Sequence, residues 1–135
     1  MTYTGPLEDR VAIRELLETY GDAVNQRDAK VWGATWTEDG SWTLPEMETV
    51  EGRAKIVEMW TTAMSHFPGV VFLVTPGMIE IDGNTARMRS YTSEVYDDPA
   101  TGQTRRDHGQ YDDELVKIGG DWKFKSRRFR HLHRG

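Results

Sequence analysis

Cysteine is absent from the 135 residues. Its absence excludes a disulfide framework, a thiolate nucleophile and every cysteine-ligated zinc or iron–sulfur site, and it fits a reducing compartment. Long apolar runs are missing as well, with no stretch near the ~18 residues that cross a bilayer. Residues 1–6 lack the charged-then-apolar plan of a secretion signal, so we expect a soluble, cytoplasmic protein with no membrane partner. There is no excess of positive charge: 17 Lys and Arg stand against 22 Asp and Glu, a net charge of −5. General nucleic-acid binding rests on cations meeting phosphates and is not expected here. One local run departs from this, since residues 123–134 hold Lys123, Lys125, Arg127, Arg128, Arg130 and Arg134 and no acid. On a strand these cations alternate between faces and pair with carboxylates from elsewhere, so we read a solvated, salt-bridged stretch. A glycine-rich phosphate loop is missing, because Gly119-Gly120 reads as a hairpin turn and not as a strand-to-helix junction. Ser65 and Ser93 have no base at readable spacing, which leaves a nucleophilic triad without support.

What is present is an ordinary globular composition, 37% apolar, in a length suited to one domain over residues 1–135. Ile13, Leu16, Leu17, Tyr20 and Val24 recur at spacings of 3, 1, 3 and 4, one face of a helix over residues 7–25. Asp28 is placed to cap a short second helix carrying Val31, Trp32 and Trp36, which Gly40 ends before a brief strand at residues 41–44. Gly52 opens a third helix on Ile56, Met59, Trp60, Ala63 and Met64, stopped by Pro68-Gly69. The period then changes. Residues 70–74, 78–81, 85–96, 104–118 and 122–132 are rich in β-branched and aromatic side chains. Turn signals at Asp82-Gly83-Asn84 and Gly119-Gly120-Asp121 separate them, and Pro76-Gly77 predicts a bulge. The expected class is α+β: three helices on the concave face of a strongly curved, mainly antiparallel sheet. Such a cone has a wide end that suits a small apolar ligand.

Several pieces in this order carry a likeness: Ile13-Arg14-Glu15-Leu16 with Tyr20, Arg27-Asp28, Trp36-Thr37-Glu38-Asp39-Gly40, Gly52-Arg53, Ile79-Glu80-Ile81-Asp82-Gly83-Asn84, Gly109-Gln110-Tyr111-Asp112-Asp113 and Gly119-Gly120-Asp121-Trp122. The chain resembles the SnoaL-like branch of the nuclear transport factor 2-like superfamily, in particular scytalone dehydratase-like and hexachlorocyclohexane dehydrochlorinase-like members. That resemblance implies a cone-shaped α+β barrel, a homodimer paired through the outer sheet face with Val95, Tyr111 and Phe129 as candidate contacts, and elimination chemistry run by a histidine base that an aspartate orients. The histidine position falls at Phe72 and the aspartate position at Asn25, so both members of the dyad are replaced. A benzyl ring cannot take a proton.

Two readings follow. The first is a cofactor-independent lyase, dehydratase or isomerase acting on a small apolar cyclic compound. The second is a non-catalytic module that binds a small molecule or a partner. For the enzyme, His108, Gln110 and Asp112 alternate along one strand and share a face, joining an imidazole to a carboxylate. Asp22 lies one helical turn before Asn25 and could supply an orienting carboxylate, against the plainer reading of a solvated helix acid. Tyr20, Asn25, Trp36 and Trp42 are candidate substrate-binding residues, together with Trp60, Phe72, Tyr91 and Gln110. His66 reads as a loop residue. His131 and His133 share a strand face, but two rings without a third ligand read as solvated imidazoles, and no metal or cofactor is expected.

Overall fold

The computed structural model describes residues 2–135. In chain order the elements are β1 (Tyr3–Thr4), α1 (Leu7–Gln26), α2 (Ala29–Ala34), β2 (Trp36–Thr43), β3 (Val50–Glu51), α3 (Arg53–His66), β4 (Val71–Asp82), β5 (Thr85–Asp97), β6 (Thr104–Ile118) and β7 (Asp121–Arg134). They form the expected α+β architecture, with three helices against one curved seven-stranded sheet of order β1-β4-β5-β6-β7-β2-β3. The four long strands are antiparallel throughout, and the two parallel pairings, β1 with β4 and β2 with β7, lie toward the margins. The register shift between Pro76 and Met78 is the bulge that Pro76-Gly77 predicts.

The second helix is shorter than its apolar spacing suggests. It begins on Asp28, whose side chain accepts from the Val31 amide at 3.0 Å, and it ends at Ala34. Trp36 starts a strand that continues to Thr43, in place of the expected segment 41–44. Trp32 and Trp36 are spaced as helix neighbours, yet both reach the core, Trp36 from a strand paired with Phe124 of β7. Burial satisfies the apolar pattern either way, so the pattern does not choose between them. The two-residue strands β1 and β3 carry no periodicity and arise only by pairing with β4 and β2.

The core joins α1, through Ile13, Leu17 and Tyr20, to a tryptophan group in which Trp32 and Trp60 stack at 4.6 Å and 12°. Tyr111 and Leu115 are buried on the inner face of β6, and Phe129 also turns inward, which corrects the expectation that Tyr111 and Phe129 cover the outer face. Their apolar area is better hidden inside than out, and a strand's period of two then turns the alternate residues to the other face.

The C-terminal ends of α1 and α3 are tied together. Arg27 donates to the Phe67 carbonyl at 2.8 Å and to Met64 Sδ at 3.0 Å. Beside it the Asn25 amide closes a two-way clamp on β4: Nδ2 donates to the Phe72 carbonyl and Oδ1 accepts from the Phe72 amide, both at 2.8 Å. Asn25 therefore engages backbone and does not reach into the cone. A carboxylate in its place cannot donate, and it sets a charge against the Phe72 carbonyl. Asn25→Asp should cost about 1–2 kcal/mol in urea unfolding at neutral pH, and less below about pH 4, where a protonated carboxyl regains a donor. Unchanged stability at neutral pH would show that the clamp contributes nothing.

Candidate active site

The narrow end of the cone is built on a buried ion pair. Arg127 and Asp113 face each other across β7 and β6 with side chains wholly shut off from solvent, Nε to Oδ1 at 2.7 Å, and Ser90 Oγ bridges them from β5. Burial, the largest single effect, would lower the guanidinium's pKa, but the charge of Asp113, the neighbouring Tyr20 and Tyr111 and the Asp113 hydrogen bond together outweigh it and the net direction is up. The cation lies 3.7 Å from the Tyr111 ring centre and 4.4 Å from those of Tyr20 and Phe124. The Trp42 indole N–H donates to the Tyr111 hydroxyl at 3.0 Å. A phenol oxygen that accepts keeps its own hydrogen to donate. Burial raises the pKa of both Tyr20 and Tyr111, so both are neutral donors in the working pH range.

Above this floor opens a chamber of about 200 Å³. Tyr20, Trp42, Trp60, Phe72 and Tyr111 make its walls, and Leu44, Met64, Phe67, Val70 and Phe129 stand toward its mouth. Phe129 lies over Gly109, where a Cβ would come within 2.1 Å of the ring. Among the described residues lining the chamber, Glu94 is the one carboxyl group. It extends from β5, cross-strand from Phe72 on one side and Asp107 on the other. Burial, with the charge of Asp107 added, pushes its carboxyl up to about 7, and no hydrogen bond opposes the rise. A carboxylic acid poised near neutrality in an apolar wall can both take and return a proton.

Four of the residues expected at the site come together there: Tyr20, Trp42, Trp60 and Phe72. Trp36 is wholly buried behind them, packed on Trp32 and Trp42. The remaining ones are elsewhere. His108 and Asp112 are exposed on the outer sheet face, and Asp22 is exposed on α1. Gln110 shares that outer face, donating to Asp112 at 3.3 Å and accepting from Arg130 at 3.0 Å. Tyr91 also faces outward, its ring filling the space left by Gly77, where a Cβ would fall 2.6 Å away. The strand parity that buries Tyr111, Asp113 and Leu115 forces this, because the alternating polar trio must take the other face. His66 bonds only to the Thr62 carbonyl of its own helix. Among the described residues no three acids or histidines stand close enough to hold a metal. The residue that sequence reasoning missed is Glu94. Its signal was available in the period-two series Ala86, Met88, Ser90, Thr92, Glu94, whose first four members are buried.

The chain belongs to the SnoaL-like domain family, whose pattern matches residues 5–128. No curated protein matches it by sequence. Solved structures share its fold at low identity. A candidate scytalone dehydratase from Novosphingobium aromaticivorans aligns with a TM-score of 0.87 and 22% identity over 96% of this chain and 87% of that one. A hexachlorocyclohexane dehydrochlorinase from Novosphingobium barchaimii gives 0.87 and 18% over 96% and 90%. A ketosteroid isomerase-like protein from Erwinia carotovora atroseptica gives 0.83 and 20% over 95% and 99%.

The Glu94 carboxyl has a consequence for stability. Its folded value of about 7 lies above the ordinary 4.5, so the folded state holds the proton more tightly than the unfolded chain. That contribution is complete at low pH and is lost as pH rises through 7. Glu94→Gln imitates the protonated form. Its unfolding free energy in urea should match wild type near pH 4 and exceed it near pH 8, by no more than about 3.5 kcal/mol at ~1.4 kcal/mol per unit. A gap independent of pH would show that the carboxyl is not desolvated.

Proposed function

We propose that the protein is a cofactor-independent lyase or isomerase acting on a small, mostly apolar cyclic compound, with Glu94 as the group that moves the proton. The observation that carries the reading is one uncommitted carboxyl, poised near neutrality, in a chamber whose other polar groups are neutral hydroxyl and indole donors. Ionised Glu94 takes a proton from a ring carbon of the substrate, and the electron pair of that C–H bond moves toward the neighbouring carbon. In an isomerisation it enters an enolate, whose oxygen meets the Tyr111 hydroxyl, and Glu94 returns the proton to a different carbon. In an elimination it forms a double bond while the leaving group departs with its own pair. The names of the structural neighbours, a dehydratase, a dehydrochlorinase and an isomerase-like protein, support the reaction class. The chamber's size supports a single ring, since a cavity of about 150 Å³ already accommodates benzene. Glu94 stands one strand over from Phe72, the position where the family resemblance would place a histidine, so a carboxylic acid on β5 takes the part of a base on β4.

Proton abstraction is common to both branches and is tested without the natural substrate. Exchange of the α-hydrogens of cyclohexanone in deuterated water, followed by NMR, should be accelerated by the protein. The rate should rise with unit slope below about pH 7 and level above it. Glu94→Gln should lower it by a factor of about 10² to 10⁴. No acceleration, together with saturable binding of the ketone, would favour the non-catalytic binding module.

We also propose that the protein is cytoplasmic and a homodimer joined through the outer sheet face. Val71 and Leu73, 51% and 62% exposed, stand there beside Val95, an apolar strip that a second copy would cover. Sedimentation should give a dimer at micromolar concentration and a monomer for Leu73→Lys; a wild-type monomer removes this part of the proposal.

A further inference from the structure

Two spaces meet in the wide half of the cone. The inner chamber of about 200 Å³ adjoins an outer one of about 390 Å³, and the walls they have in common are Leu44, Met64, Phe67, Val70, Glu94 and Phe129. Phe129 belongs to β7, and the neighbouring strand β6 shows where along the cone its ring stands. Tyr111 lines the inner chamber and Asp107 the outer one. Gly109 lies between them on the same inward-facing row, opposite Thr92 of β5. The Phe129 ring covers Gly109, so it stands at the boundary between the two spaces.

The place of that ring depends on a side chain that Gly109 does not have. A Cβ on residue 109 would overlap Cε1 and Cζ of Phe129, and it would stand 3.0 Å from Thr92 Oγ1. Gly109 is not among the glycines with positive φ, so the backbone there does not call for glycine; the space under the ring does. Neighbouring rings hem Phe129 in, with Tyr111 at 4.9 Å between centres and His131 edge-on at 5.1 Å. With the sheet behind it and rings beside it, a Phe129 displaced by a methyl group moves off the sheet and into the chambers it lines. Glycine inside a strand loses more chain entropy than any other residue and packs nothing. Here it gives the inner chamber its room.

We propose that Gly109 and Phe129 together set the size of substrate the site admits: with the ring seated in the glycine's hollow, the inner chamber takes one six-membered ring, and Phe129 bars the outer space to a second, fused ring. The proposal rests on the reading of the inner chamber as the substrate site and adds the pair that determines its specificity. A single ring fits the inner volume, since a cavity of about 150 Å³ already accommodates benzene. A fused bicycle has to extend past Phe129. Glu94, the next inward-facing residue beyond Thr92 on β5, lines the same boundary, so a ring confined to the inner chamber presents its outer edge to the carboxyl.

Cyclohexanone and 2-decalone carry the same ketone on one ring and on two fused rings. Trp42 and Trp60 line the inner chamber, so quenching of their fluorescence reports binding. Phe129→Ala removes the partition, and the ratio of affinities should move about tenfold toward 2-decalone. Gly109→Ala pushes the ring inward, and the affinity for cyclohexanone should fall about tenfold, the low end of what one methylene is worth in an apolar pocket. In Gly109→Ala/Phe129→Ala the added methyl has no ring to displace, so the double variant should bind both ketones as Phe129→Ala does. That comparison holds even where Gly109→Ala alone is too unstable to assay. A pair that only stabilises the sheet would shift unfolding midpoints and leave the selectivity alone. An unchanged ratio in Phe129→Ala, or a further loss of cyclohexanone in the double variant, therefore overturns the assignment and leaves the chamber reading standing. Failure of wild type to bind cyclohexanone overturns the two together.

Discussion

The Arg127–Asp113 pair is the constraint on which the remaining geometry depends. Taking both charges out of water costs several kcal/mol per ion, and a pair of this kind persists only where geometry and additional partners offset that cost. Here Ser90 bonds to both, and three aromatic rings surround the cation. Because the three polar residues come from three adjacent strands, the pair fixes the facing of β5, β6 and β7 at once. With Asp113 inward, Tyr111 and Leu115 follow it, and His108, Gln110 and Asp112 are turned out. A slip of one residue would leave an uncompensated buried charge, typically a loss of about 3–5 kcal/mol.

The pair also sets the chemistry of the floor. A cation under the faces of two phenols holds their rings in place, and the Trp42 indole orients the Tyr111 hydroxyl. The floor is therefore rigid and rich in neutral donors, while the one uncommitted acid stands higher on the wall. Donor below and carboxyl above is the separation that acid–base chemistry on a ring requires, because the two groups must reach different atoms of it.

The wide end is held by different means. Arg27 and Asn25, at the end of α1, bond to backbone groups at the end of α3 and the start of β4. Those bonds position Phe67 and Phe72, which line the chamber, with no titratable group spent inside it. A fold shared by a candidate scytalone dehydratase, a dehydrochlorinase and an isomerase-like protein does not choose among chemistries. The groups grafted on its strands do, and for this chain the group we propose is a glutamate on β5.

The α+β class, the three helices, the hairpin turns and the bulge at Pro76-Gly77 were legible in the sequence, because periodicity and turn chemistry are local. So was an aromatic pocket, since Tyr20, Trp42, Trp60 and Phe72 had few places to go but inside. The facing of β6 was not. Residues 107–114 carry polar side chains on both faces, so alternation alone assigns neither to the core, and the trio His108, Gln110, Asp112 looked as fit for the interior as Tyr111 and Asp113. That choice belonged to Arg127, a residue one strand away that a local pattern cannot see. Glu94 is a like case. Its raised pKa comes from burial where β4, β5, β6 and the end of α3 converge, and from Asp107 on the next strand. The sequence alone determined which groups were available; tertiary structure decided which lost their water, because desolvation is a property of everything packed around a side chain and not of the residues beside it in the chain.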